Sequence, residues 1–168
     1  LGERIPWDHY DRFVILHAGS DLQSDLLDDS PDDIPSFTIG VPSEDAVIFP
    51  DSTTRPIDRA SIVPETISQD GAYGAINGLL AHESGHNLFG FADVLDIMTR
   101  IPVVGYWSLM DSGHMAGTIL ALQDGGQLFV TGLLPPSVDP YQRQYITPDT
   151  AASEIAVNDT VAMRAVER

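Results

Sequence analysis

The stretch Asp70-Gly71-Ala72-Tyr73-Gly74-Ala75-Ile76-Asn77-Gly78-Leu79-Leu80-Ala81-His82-Glu83-Ser84-Gly85-His86-Asn87-Leu88-Phe89-Gly90 is the one strong helix signal in the chain. Asp70 reads as its N-cap, and Gly90 ends it and turns the chain. The internal glycines each cost about 1 kcal/mol relative to alanine, so they need a reason. Positions 78, 81, 85 and 88 form one face as Gly, Ala, Gly and Leu, which lets the helix lie close against a sheet. The other side carries Leu79, His82 and His86.

Inside this helix stands His82-Glu83-Ser84-Gly85-His86, an H-E-x-x-H sequence. Histidines four apart on a helix project from the same face, about one turn apart, so both imidazoles can bind one ion. Glu83 is rotated by about 100° from the first ligand, which sets its carboxylate beside the metal rather than on it. There it can take a proton from water activated by zinc and pass it to a leaving amine. The chain's own composition, with five His among 168 residues, gives about 0.005 accidental matches to such a motif.

A catalytic zinc takes a third protein ligand and keeps a fourth position open. With no cysteine in the chain, that ligand is a histidine or a carboxylate. No glutamate occurs between Glu83 and Glu154, so an aspartate is the expected third ligand: Asp93 or Asp96 in Phe91-Ala92-Asp93-Val94-Leu95-Asp96. Because the chain has turned at Gly90, helical geometry does not choose between them.

Outward from the helix the chain reads as short strands and loops. Phe13-Val14-Ile15-Leu16 reads as a buried strand with His17 at its end, followed by an acidic loop over residues 20–36. Thr38-Ile39-Gly40-Val41 and Ala46-Val47-Ile48-Phe49 read as further strands, and Ser61-Ile62-Val63-Pro64 as an edge strand because its proline lacks an N–H. Residues 118–122 and 127–131 read as a hairpin about Asp124-Gly125. Glu154–Val157 and Thr160–Met163 read as strands about an Asn158-Asp159 turn. The expected fold is α/β or α+β, a small mixed β-sheet packed on one long H-E-x-x-H helix.

Twenty-five acidic residues against eight arginines and no lysine give a net charge of −17. That balance excludes nucleic acid as a partner, since binding a polyanion needs basic clusters. No apolar run is long enough for a membrane span, so membrane insertion is not expected. A start at Leu1 and a pattern still alternating at Arg168 lead us to expect part of a larger secreted or surface polypeptide. Within it, residues 1–148 would be a catalytic domain shortened at its N-terminus, and residues 149–168 the start of a following β segment or linker.

His82 to Phe91, Asp93 to Asp96, and Gly105-Tyr106-Trp107-Ser108-Leu109-Met110-Asp111-Ser112-Gly113 together resemble the immune inhibitor A family of secreted zinc metallopeptidases. Phe13 to Gly19 is similar to that family's strand ending in H-A-G, and Leu133 to Tyr141 resembles the stretch closing its catalytic domain. The resemblance covers roughly residues 11 to 148. It implies a zincin fold of metzincin type, Met110 as a methionine turn beneath the metal, and Asp93 as third zinc ligand. One departure is plain. The family pattern H-E-x-x-H-x-x-G-x-x-D has glycine three and aspartate six residues after the second histidine, whereas Gly90 and Asp93 are four and seven after His86. A bulge or an extra half-turn near Phe89 could absorb the inserted residue.

The expected function is therefore that of a secreted or cell-surface zinc metalloendopeptidase acting on protein or peptide, with Zn2+ on His82, His86 and Asp93 and Glu83 as general base and acid. Two alternatives are a non-catalytic surface or binding domain on a zincin scaffold and a hydrolase of another substrate. Among secondary candidates, Tyr106 reads as packing or an oxyanion donor and His17 as a loop holder. His114 reads as a surface histidine, with approach to metal or substrate as the other option. The aspartates of residues 21–33 read as a solvated face, with structural Ca2+ as the alternative.

Overall fold

A computed structural model describes residues 10, 12–48, 56–96, 98–99 and 101–146. The expected strands 154–157 and 160–163 lie outside these residues, as does Phe49. The middle of the main sheet is β3 (Arg59–Pro64), paired in parallel with β1 (Phe13–His17) and antiparallel with β2 (Phe37–Gly40). The expectation of an edge strand at 61–64 is thus corrected. Pro64 falls two positions beyond the last β2 partner, Ile62, so its missing N–H breaks no bond on that side. Val63 and Ser61 are fully buried. Conversely β1, expected to be buried, is an edge strand among the described residues, with Leu16 two-thirds exposed. Residues 46–48 contribute only an isolated bridge, Val47 to Ile57.

The helix α1 spans Ile76–Ser84 and continues through a π-helical turn, Gly85–Phe89. It does not begin at Asp70. Asp70 and Gly71 both take the left-handed conformation, with φ of 55° and 80°, and the Asp70 carboxylate accepts the backbone N–H groups of Leu26 and Leu27 instead. The chain then runs beside the end of β5, exchanging bonds through Thr131 N–H to Tyr73 and Ala75 N–H to Thr131. The helix starts only when that pairing ends.

The hairpin forms as expected, from β4 (Gly117–Ala121) and β5 (Gln127–Thr131), with Gly125 at φ 84° in its turn. A second helix, α2 (Pro140–Ile146), has proline at its first position, and the Asp139 carboxylate accepts the Gln142 N–H. Gln142 Nε2 donates to the Ala92 carbonyl at 2.6 Å, and Ser108 Oγ donates to Asp139. These residues buttress the two loops that reach the helix from below.

The small-residue face of α1 does require close approach, but its partner is not the sheet. A Cβ at Gly78 would strike the His114 carbonyl, and one at Gly85 would strike the Met110 sulfur. The helix therefore presses on the 108–116 loop, with β3 on another side. No described helix is long and apolar enough to cross a membrane.

Candidate metal centre

His82 and His86 leave α1 and the π turn one turn apart, and their Nε2 atoms lie 3.1 Å from each other. Asp93 follows the Gly90 turn, and its Oδ1 lies 3.2 Å from both Nε2 atoms. Asp96 stands elsewhere, exposed, its Oδ1 accepting the N–H groups of Met98 and Thr99. Thus the structure brings Asp93 to the two histidines and leaves Asp96 to close its own turn.

The π turn accounts for the inserted residue. A π turn holds one residue more than an α turn, so the chain reaches Gly90 one residue late yet in a place to turn back. Gly90 has φ 68° and ψ 26°, and the Phe91 N–H bonds back to the Gly85 carbonyl. Leu88 and Phe89, the residues in the widened turn, face outward and are each more than half exposed.

Both imidazoles are fixed by their other nitrogen. His82 Nδ1 lies 2.9 Å from the Leu109 carbonyl and His86 Nδ1 2.6 Å from the Phe91 carbonyl. A carbonyl only accepts, so each Nδ1 carries a proton and each Nε2 is turned toward Asp93, where a neutral ring presents its lone pair. The two Nε2 atoms and Asp93 Oδ1, a buried oxygen, thus face one another as a set of three candidate ligand atoms. Such a triangle holds together around a cation. A tetrahedral site with bonds of about 2.0 Å has edges of about 3.3 Å, close to the edges found here. The donor set of two imidazoles and one carboxylate therefore fits zinc.

Protonation follows the same geometry. Burial lowers His86, but its contact with Asp93 and its bond to Phe91 outweigh that and raise it above its ordinary value. Burial would raise Asp93, yet the hydrogen bonds and charges of His82 and His86 hold it far below the usual carboxylate range.

Glu83 is buried, and its Oε2 accepts a 2.6 Å bond from Thr38 Oγ1 of β2. It lines, with His82, His86 and Asp93, a cleft of about 720 Å3 bounded by β2 on one side. His114 also lines this cleft, its ring centroid 4.6 Å from that of His82, which corrects the surface reading. Its Nδ1 donates to the Asp111 carbonyl at 2.7 Å, and burial, aided by nearby His82, keeps it below its ordinary pKa.

Met110 is fully buried beneath the helix at Gly85. Its segment holds two of these side chains in place: the Leu109 carbonyl accepts from His82, and the Met110 carbonyl accepts the N–H of Val94, next to Asp93. The segment is itself pinned by Asp111, whose Oδ2 accepts the N–H groups of Val103, Val104 and Gly105 at 2.8–2.9 Å. Tyr106 is two-thirds exposed and does not line the cleft. His17 contacts only its neighbour's carbonyl, at Ala18, among the described partners.

The acidic loop spends its carboxylates on its own turns. Asp21 accepts the hydroxyls of Ser24 and Ser36, and Asp25 accepts the N–H groups of Asp29 and Ser30. Asp25, Asp29 and Asp70 approach one another at the surface, but nothing there besides acidity points to calcium.

Three residues or groups at the site carry no signal in the sequence: Thr38, and the carbonyls of Leu109 and Phe91. Thr38 reads as a strand residue like any other, and a carbonyl is present at every position.

No curated protein and no solved structure matches the chain. A family model described as the immune inhibitor A peptidase M6 catalytic domain matches residues 3–129.

Proposed function

This chain belongs to the immune inhibitor A peptidase family, and from that premise we propose a zinc-dependent endopeptidase with His82, His86 and Asp93 as metal ligands and Glu83 as proton carrier. The observation that carries this reading is the meeting of His82 Nε2, His86 Nε2 and Asp93 Oδ1 beside the buried Glu83 carboxylate in one cleft. Zinc, when bound, supplies Lewis acidity that polarises a carbonyl and brings the pKa of water to about 7.

The remaining work belongs to the chain. Glu83 accepts the proton of the attacking water and returns it to the departing nitrogen as the C–N bond breaks, so the amine leaves uncharged. The Leu109 and Phe91 carbonyls keep both imidazoles in the tautomer that offers Nε2. Met110 supports the helix that carries His82 and His86, and the cleft at Glu83 is where a peptide would lie.

Family membership and the acidic, lysine-free composition support an extracellular protein acting on protein or peptide substrates. The family match over residues 3–129 lies within the expected catalytic domain of residues 1–148.

The test is substitution of Glu83 with Ala in the zinc-loaded protein. Cleavage of casein or gelatin should vanish while zinc stays near one per chain; unchanged cleavage would overturn the mechanism. A wild-type chain that binds no zinc after dialysis would instead be a non-catalytic scaffold. Zinc binding without peptide cleavage would direct attention to a different hydrolytic substrate.

A further inference from the structure

Beneath Glu83 runs a buried chain of side chains whose hydrogen-bond direction can be worked out from chemistry alone. Asn87 Nδ2 donates to the Phe13 carbonyl at 2.9 Å, which fixes that end of the amide as nitrogen. The same Nδ2 lies 3.0 Å from Ser61 Oγ, so Ser61 accepts there and has its own proton to give elsewhere. Thr38 Oγ1 lies 2.8 Å from Ser61 Oγ and 2.6 Å from Glu83 Oε2. Thr38 Oγ1 also lies 3.2 Å from the Glu83 carbonyl, but the carboxylate oxygen is nearer and only accepts, so Thr38 gives its single proton to Oε2. Ser61 must then be the donor in the contact between the two hydroxyls. Its other acceptor, the Glu83 carbonyl, is farther at 3.3 Å. Every donor from Asn87 to Thr38 thus points toward Oε2, and each bond polarises the next.

We propose that Thr38 is a positioning residue for Glu83. Its hydroxyl, oriented by Ser61 and Asn87, commits Oε2 as an acceptor and leaves Oε1 as the oxygen that takes and returns the proton. The inference rests on the reading of Glu83 as proton carrier. A proton cannot leave Oε2 along this chain, because Asn87 offers no acceptor at the contact with Ser61. The device joins four parts of the fold: Asn87 in the π turn, Ser61 in β3, Thr38 in β2 and Glu83 in α1. It makes the sheet a structural partner of the chemistry rather than a support only.

The full chain, zinc-loaded, is compared as wild type, Thr38→Val, Thr38→Ser and Ser61→Ala. Valine keeps the shape and removes the hydroxyl, and its kcat should fall by about 10–100-fold, the scale of a misplaced catalytic group. KM should stay within about twofold, zinc at one per chain, and serine should restore kcat to within about threefold of wild type. Thr38→Val at wild-type kcat, or Thr38→Ser as impaired as valine, would overturn the proposal. If Thr38→Val does not fold, Ser61→Ala interrupts the chain one bond earlier. It should lower kcat by about 3–10-fold, and unchanged kcat would overturn the proposal.

A second readout does not depend on activity. In crystals of the metal-free protein, the Glu83 carboxylate should hold one position in wild type and Thr38→Ser and spread over two or more in Thr38→Val. One shared position in all three would overturn the proposal. If wild type binds zinc but cleaves no peptide, the proposed function fails, and these crystals alone decide the role of Thr38.

Discussion

The sulfur of Met110 occupies the space that a side chain at Gly85 would need, so the helix carrying both histidines rests directly on the 108–113 turn. Helix and turn are one mechanical unit. The same turn holds His82 through the Leu109 carbonyl and the Asp93 loop through the Met110 carbonyl.

Gly85→Ala should therefore destabilise the protein, although alanine favours helix by about 1 kcal/mol. Overpacking a fully buried contact costs about 1–3 kcal/mol, which exceeds that gain. Met110→Ala leaves a cavity and should cost about 2–5 kcal/mol. Urea unfolding with zinc measured per chain checks both. Wild-type stability in Gly85→Ala would mean that Met110 can move aside.

Asp93→Ala should weaken zinc binding by at least about tenfold, since one of three ligands is lost. Asp96→Asn should bind zinc like wild type, because Asp96 only closes the turn to Met98 and Thr99. Competition titration against a zinc chelator separates the two. The opposite ranking would reassign the third ligand.

Zinc should raise the melting temperature, and a chelator should lower it. His82 Nε2, His86 Nε2 and Asp93 Oδ1 already lie within about 3.2 Å of one another, and binding to the folded state alone adds about 4 kcal/mol at a thousandfold excess over Kd. Calcium in place of zinc should shift the melting point little, since imidazole is a poor partner for it. Thermal scans with each ion give the answer.

Asp111 supplies a pH test away from the metal. Burial would raise its carboxyl, but the N–H groups of Val104, Gly105 and Ser112 outweigh that and hold it below the usual value. A depressed folded pKa adds stability above the unfolded pKa of about 3.9, and that stability is lost as pH falls through the lower folded value. Asp111→Asn should cost about 1–3 kcal/mol at pH 7, because the amide accepts fewer of these bonds. Its stability should also fall less between pH 5 and pH 2 than that of wild type, as followed by urea midpoints. Parallel curves for the two proteins would refute this account.

The closeness of His82 and His86 is legible because helical periodicity alone puts them on one face. The choice between Asp93 and Asp96 is not, since it depends on how the chain leaves Gly90. The start of the helix was misplaced because Asp70 has the chemistry of an N-cap but serves the 26–27 turn instead. Pro64 suggested an edge strand, yet a proline past the end of its neighbour costs nothing in a central one. Family motifs located Met110, while the partners that aim the site, Thr38 and two carbonyls, leave no mark in composition or spacing. A hydrogen bond to a main-chain oxygen is specified by the fold, not by residue type.

The π turn at Gly85–Phe89 bears on how this site tolerates change. Its surplus residue bulges toward solvent at Leu88 and Phe89, while His82, His86 and Asp93 still converge. Chain length between His86 and Asp93 is thus a slack variable, taken up on the outside of the helix. The three side chains are held by the bonds at Leu109, Phe91 and Met110, so an insertion or deletion in this turn need not be an injury to the site.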